Sequence, residues 1–167
     1  MCIKDLEERA SKLAFEYERD FGGCAQCVLA SIRDSAGGVS DDVFKSATGL
    51  ACGIARTGHA CGACIGGAMA IASFWGRAYD NFADPAGVRQ KTFDMCLELV
   101  KRFEKEYGSC VCKDIQTKLM GRWYDLKMPE EKEKFLAAGG HDDKCTGVCA
   151  NAAKWVIEIL AAEGLVK

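Results

Sequence analysis

The sequence is poor in histidine, in proline and in clusters of basic residues. Two histidines in a chain of 167 residues are too few for a metal site built mainly on imidazole, and the two prolines leave room for long helices. The formal net charge is -2 and no run of lysine and arginine is longer than a pair, so the chain offers no basic surface to nucleic acid. We therefore expect no nucleic-acid partner.

Long apolar runs and common cofactor motifs are also missing. No stretch reaches the roughly 20 apolar residues that a membrane span needs, and residues Met1–Arg9 lack the apolar core of a secretory signal. The sequence has no phosphate-binding loop, dinucleotide-binding fingerprint or C-x-x-C-H haem motif. We expect a cytoplasmic protein without a membrane span.

Composition and periodicity predict an all-α protein with a single domain over residues 1–167. Hydrophobic residues at 49% and charged residues at 28% are values that suit one globular domain. Apolar residues recur at steps of three and four, and no segment has a convincing strand pattern, so we expect a bundle of about six to eight helices. The expected helices run from Ile3 to about Gly22, Cys24 to Ala36, Ser40 to Ser46, Cys61 to Ala72, Asp84 to Gly108, Lys113 to Met120, Glu130 to Ala138 and Asp143 to Glu163.

Two of these helices carry further expectations. Gly66 and Gly67 lie inside the helix that starts at Cys61, and a helical glycine costs about 1 kcal/mol relative to alanine, which indicates close approach of another backbone or of a bulky ligand. A second copy of the chain could pack on this helix and form a homodimer. In the next long helix Asp84 and Pro85 match an N-cap and first-turn pair. Its expected inner face consists of Phe93, Cys96, Leu97, Val100, Phe103 and Tyr107.

Cysteine is the residue that the sequence has in excess, with 11 in the chain. In a reducing compartment so many cysteines indicate metal binding or redox chemistry rather than a static disulfide framework. Residues three or four apart on a helix have Cβ atoms about 5–6 Å apart on one face, and thiols at helix starts are favoured as thiolates. Eight cysteines form four local pairs: Cys24 with Cys27, Cys61 with Cys64, Cys110 with Cys112, and Cys145 with Cys149.

A thiolate-bound metal group is the first function that these pairs predict. Four thiolates suit tetrahedral zinc or a cubane iron-sulfur cluster, and eight suit two clusters or one larger one. We expect iron-sulfur clusters of the 4Fe-4S type that transfer electrons to or from an unidentified partner protein. The spacing differs from that of bacterial ferredoxins, so the ligands come from distant helices. The candidate ligands are Cys24, Cys27, Cys61, Cys64, Cys110, Cys112, Cys145 and Cys149, with Cys52 and His59 as further candidates.

Two other functions stay open on the sequence. In a metal-free thiol-disulfide oxidoreductase, Cys24, Cys61, Cys112 or Cys145 would attack a disulfide and the neighbouring cysteine would resolve the intermediate. Structural zinc or metal storage is the third possibility. His141, which precedes Cys145, is expected in a solvated cap region.

Four segments of the chain resemble the CGCAxxGCC-type family of redox-active proteins. The segments are Cys24-Ala25-Gln26, Cys61-Gly62-Ala63-Cys64-Ile65-Gly66, Cys112-Lys113-Asp114-Ile115 and Cys145-Thr146-Gly147-Val148. The resemblance covers about residues 20–160. It implies a small helical protein from a largely anaerobic setting, in which Cys24, Cys61, Cys112 and Cys145 carry redox chemistry. The present chain departs from the four-cysteine pattern because each of these cysteines has a second thiol nearby in sequence.

Overall fold

Eight α-helices form the fold in the computed structural model, which describes residues 2–167. Within these residues the only pairing of β type is one antiparallel bridge between Ala60 and Val111. The prediction of an all-α bundle is confirmed. The helices are α1 (Ile3–Asp20), α2 (Cys24–Ala36), α3 (Asp41–Ser46), α4 (Gly62–Phe74), α5 (Val88–Tyr107), α6 (Cys112–Met120), α7 (Pro129–Ala137) and α8 (Cys145–Ala162), with 3-10 helices at Thr48–Leu50 and Tyr79–Asn81 and a π-helical turn at Gly140–Lys144.

Helix α8 is the central element of the bundle. It packs most extensively against α1 and also contacts α2, α4 and α5. Burial of a valine, isoleucine or leucine side chain contributes about 1.5–3 kcal/mol, so the inner face of α8 is a main source of stability. Its buried apolar side chains include Val148, Val156, Ile157, Ile159 and Leu160.

The stretch Gly140–Ala162 is long and apolar enough to cross a membrane when judged by length and composition alone. Half of its apolar window, 50%, is buried inside the bundle. The core helix of a soluble protein has the same properties, so α8 is not a clear membrane span. The cytoplasmic location stays a prediction.

Helix α5 begins later than the sequence pattern predicts. Asp84 has a φ of 56°, so the chain turns there and the N-cap position falls to Gly87. The Asp84 carboxylate nevertheless accepts hydrogen bonds from the N–H groups of Val88 (2.8 Å) and Arg89 (2.9 Å). Asp84 therefore satisfies the free N–H groups of the first turn from a position outside the helix.

The inner face of α5 also differs from the expected one. Phe93 is 57% exposed and Leu97 is 49% exposed, so these two residues of the expected stripe face solvent. The buried residues of α5 follow a four-residue spacing, so the contact face of the helix is rotated away from Phe93 and Leu97. The buried residues are Met95, Leu99, Phe103 and Tyr107.

Gly66 and Gly67 lie where α4 contacts its neighbours. A Cβ atom on Gly66 would overlap the carbonyl oxygen of Ala25 and lie 2.9 Å from the Cα of that residue, so α2 and α4 meet backbone to backbone. A Cβ on Gly67 would lie 2.7 Å from Leu99 Cδ2 and 3.1 Å from Val156 Cγ2. The predicted close approach is confirmed, and because it occurs within one chain these glycines offer no surface to a second copy.

Candidate functional site

A small cavity lies where the N-terminal ends of four helices meet. Cys24, Cys112 and Cys145 are the first residues of α2, α6 and α8, and Cys61 is the N-cap of α4. The cavity has a volume of about 30 Å³, which is room for about two water molecules. Six cysteines line it: Cys24, Cys52, Cys61, Cys112, Cys145 and Cys149.

Two backbone hydrogen bonds hold the starts of α4 and α6 side by side. The Cys61 N–H donates to the Cys110 carbonyl at 2.8 Å, and the Cys112 N–H donates to the His59 carbonyl at 2.6 Å. They flank the β-bridge between Ala60 and Val111. Cys61 and Cys112, which are distant in the chain, therefore reach the same cavity.

The close contact between α2 and α4 determines the position of the Cys24 sulfur. A Cβ atom on Gly62 would overlap Cys24 Sγ and would lie 2.9 Å from the carbonyl oxygen of Leu50. Protein interiors are close-packed, so a side chain at position 62 would displace the thiol. Glycine at this position is therefore a requirement of the site.

Cys52 reaches the cavity on a segment with unusual backbone geometry. All five residues from 52 to 56 have positive φ angles between 49° and 74°, and four of them are not glycine. Each such residue costs on the order of 1–2 kcal/mol. Hydrogen bonds from the Gly58 N–H to the Cys52 carbonyl (3.1 Å) and from the His59 N–H to the Gly53 carbonyl (3.0 Å) stabilise the segment. Strain of this kind is concentrated at functional sites.

Glu18 contributes a buried carboxyl group to the cavity. The residue is 3% exposed, its Oε1 lies 3.5 Å from His141 Nε2, and its Oε2 has no hydrogen-bond partner within residues 2–167. Burial raises the pKa of Glu18 to about 7, against the smaller opposing effect of the neighbouring Cys27 and Cys149 thiols. Burial also lowers the pKa of His141. An unpartnered buried oxygen is costly, which indicates that this group has a role beyond packing.

Burial raises the pKa of every cysteine in the cavity. The pKa is about 11 for Cys52 and Cys61 and about 12 for Cys112, and it lies well above the ordinary value for the other three. The charge of Glu18 acts in the same direction, and the lining contains no lysine or arginine among the described residues. Without a bound cation these six thiols are therefore protonated at neutral pH.

Four of the candidate ligands lie outside the cavity. The Cys27 thiol is directed to the Gly22 carbonyl oxygen at 3.1 Å, and the side chains of Cys64 and Cys110 contact each other. His59 is exposed, with Nδ1 2.7 Å from Thr57 Oγ1.

For two of the four local pairs, the cause is the position of the pair relative to a helix start. Cys61 precedes α4, which contains Cys64, and Cys110 precedes α6, which contains Cys112. Helical i, i+3 geometry therefore does not apply to these two pairs. Cys145 and Cys149 are both within α8, and theirs is the one local pair with both members in the lining.

Three residues of the site carry no sequence motif. Glu18 continues the four-residue spacing of the buried α1 residues Leu6, Ala10 and Ala14, so a carboxylate on an inner stripe was the available signal. Gln116 donates from Nε2 to Cys112 Sγ at 3.4 Å and accepts from the Tyr124 N–H at 3.1 Å. His141, which we expected in a solvated cap, lines the cavity because the π-helical turn before α8 brings it there.

A surface cleft adjoins the cavity. Its volume is about 630 Å³, and it has a wall in common with the cavity. Four residues line both spaces: Cys52, Leu126, Phe135 and His141. Three basic side chains line the cleft but not the cavity: Arg56, Lys127 and Lys132. The outer side of the wall therefore carries positive charge.

These features define a small, cysteine-rich helical protein with a buried site lined by thiols. Over residues 23–159 the chain matches the family described as "Putative redox-active protein (C_GCAxxG_C_C)", and it belongs to this family. Searches of curated proteins and of solved structures found no match. The four cysteines to which the family resemblance assigns redox chemistry, Cys24, Cys61, Cys112 and Cys145, all line the cavity.

The Glu18→Gln substitution is expected to stabilise the reduced, metal-free protein above pH 7 and to have a smaller effect at pH 5. The folded-state pKa of about 7 exceeds the ordinary 4.5, so the Glu18 contribution is favourable at low pH and is lost as the pH rises through 7. By linkage, the free energy of unfolding of the wild type falls by about 3 kcal/mol, relative to that of the variant, between pH values well below 4.5 and well above 7. Urea unfolding of both proteins at pH 5 and pH 8 measures it, and equal differences at the two pH values would contradict it.

Proposed function

We propose that the cavity binds an iron-sulfur cluster and that the protein transfers electrons. The observation that carries the proposal is the meeting of six cysteine sulfurs, from four helix N-termini and one strained loop, around one buried space. Cysteine thiolates are the usual ligands of such clusters. The helix N-termini would place four positive dipole ends next to the negative charge of a thiolate-bound cluster.

The described residues do not form a compact site for a single metal ion. A zinc ion needs four ligands about 2.0–2.3 Å from one point. Within residues 2–167 no three histidine, cysteine, aspartate or glutamate side chains converge in a way that could hold one metal ion. A group of several metal and sulfide atoms would instead be held by cysteines distributed around the cavity lining. A cubane needs more room than about 30 Å³, so its insertion must widen the cavity.

The chain's own residues would bind and shield the group. When bound, the cluster supplies one-electron redox chemistry. The lining thiols would release their protons when the cluster binds. The metal cations would then compensate the thiolate charge, which no basic residue of the cavity lining can do. The Gln116 Nε2 group donates a hydrogen bond to Cys112 Sγ, and such bonds to sulfur tune reduction potentials. The wall of Cys52, Leu126, Phe135 and His141 would restrict access of water.

Oxygen-poor conditions and a reducing cytoplasm would suit this site. A reducing compartment keeps 11 cysteines as thiols available for metal. We propose this location and a redox protein as electron-transfer partner, in line with the expectations from sequence.

Anaerobic purification tests the proposal directly. The full-length protein is reconstituted with ferrous iron and sulfide, and iron, zinc and acid-labile sulfide are measured per chain together with the visible and electron paramagnetic resonance spectra. We expect about four iron and four sulfide per chain and a visible absorption that bleaches on reduction. A colourless protein with all thiols free would contradict any metal site. Zinc without sulfide would contradict the cluster and indicate structural zinc.

A further inference from the structure

Three cysteines lie near one another outside the thiol-lined cavity. Cys64 lies in the first turn of α4, Cys110 lies two residues before α6, and Cys96 lies on α5. None of the three lines the cavity. Cys64 is 7% exposed, whereas Cys110 is partly exposed to solvent. A buried thiol thus lies behind an accessible one.

The local backbone holds Cys64 and Cys110 in register. The Cys61 N–H donates to the Cys110 carbonyl at 2.8 Å, and the Ala60–Val111 bridge joins the same two segments. The side chains of Cys64 and Cys110 are neighbours, and the Cys110 thiol is directed to the Val100 carbonyl oxygen at 3.6 Å. This pairing is between two sequence motifs and does not follow the local pairs seen in the sequence.

We propose that Cys64 and Cys110 form a second redox site, a dithiol that is converted reversibly to a disulfide by small-molecule or protein disulfides. The site does not depend on the proposed cluster, because neither residue belongs to the cavity lining. Its substrate class is a disulfide, RSSR, and its product is two molecules of thiol, RSH.

The exposure of the two residues determines the order of steps. Cys110, which solvent reaches, attacks one sulfur of RSSR as the thiolate, so that a Cys110–SR mixed disulfide forms and RS⁻ leaves. Cys64 then attacks the Cys110 sulfur, the Cys64–Cys110 disulfide forms and the second RS⁻ leaves. The two protons of the cysteine thiols pass to the two leaving groups. The pair loses two electrons and RSSR gains them.

Peptide mapping of the wild-type protein tests this pairing. The protein, with its iron content measured beforehand, is incubated anaerobically with oxidised glutathione, its free thiols are blocked, and it is digested with trypsin. The expected product joins residues 57–77 to residues 106–113. Each of these peptides contains two cysteines, so fragmentation between Cys61 and Cys64 and between Cys110 and Cys112 assigns the bond. Free thiols at both Cys64 and Cys110, or bonds to other cysteines only, would overturn the proposal.

Serine variants test the order of attack. In Cys64→Ser the resolving thiol is absent, so glutathione is expected to accumulate on Cys110, whereas Cys110→Ser should leave buried Cys64 unmodified. Cys96→Ser is the matched control and should retain the cross-link at the wild-type level. Absence of the adduct on Cys110 in Cys64→Ser would contradict the mechanism. Iron is measured in every sample, so absence of the cross-link in wild-type protein that holds iron would refute the dithiol alone, and a cross-link in wild-type protein that binds no iron would refute the cluster alone.

Discussion

Replacing Cys24 with serine is expected to lower the iron content of the reconstituted protein at least about fivefold, whereas replacing Cys27 should leave it nearly unchanged. The two cysteines are on the same helix and are both buried, at 9% and 3% exposure. Only Cys24 lines the cavity, while the Cys27 thiol is directed to the Gly22 carbonyl oxygen. The two variants therefore replace side chains that point in different directions but are similarly buried.

The measurement is iron and sulfide per chain after anaerobic reconstitution, with the thermal unfolding midpoint as a second readout. Binding of a metal group is coupled to folding, so the Cys24→Ser protein should also lose the rise in midpoint that reconstitution produces in the wild type. Equal iron loss in both variants would show that the local pair acts as a unit. Wild-type iron content in both would remove Cys24 from the ligand set.

Replacing Gly66 with alanine is expected to destabilise the protein strongly, because the contact between α2 and α4 leaves no room for a methyl group. The new Cβ would overlap the Ala25 carbonyl oxygen and lie 2.9 Å from its Cα, and these are backbone atoms that cannot rotate away. Overpacking of this kind costs about 1–3 kcal/mol, and more where the helices must separate. Separation of α2 from α4 would also move Cys24, so the variant should bind less iron.

Gly147→Ala is the matched control for this substitution. Gly147 lies within α8, and a Cβ atom there meets nothing within 4 Å. Alanine should therefore stabilise α8 by about 0.5–1 kcal/mol through its higher helix propensity. Urea unfolding of the two variants beside the wild type is expected to give changes of opposite sign. A Gly66→Ala protein as stable as the wild type would show that the two backbones are not in contact.

The periodicity of the sequence was sufficient to predict the helices, because the spacing of apolar residues and the glycines at helix ends are local properties. Ser40 illustrates this, since its hydroxyl oxygen accepts from the Val43 N–H at 3.3 Å as an N-cap should. The start of α5 and the burial of Phe93 and Leu97 were predicted wrongly. Both depend on how the chain turns at Asp84 and on which neighbours α5 packs against, and neither is a local property.

The candidate site, like the fold, was only partly predictable from the sequence. Family resemblance selected Cys24, Cys61, Cys112 and Cys145, and their positions at helix starts follow from the sequence around each one. The sequence also placed Cys52 among the further candidates. For Glu18 the signal was a carboxylate on the inner stripe of α1, whereas nothing in the sequence indicated that the turn before α8 brings His141 to the cavity.

The sequence by itself determined the all-helical fold, the excess of thiols and the four cysteines at helix starts. The tertiary structure alone decided which thiols share a space, because that depends on how closely separate helices approach. Gly62 and Gly66 let α2 meet α4, and the bridge between Ala60 and Val111 joins α4 to α6. The same contacts bring six cysteines around one cavity and place Cys64 beside Cys110.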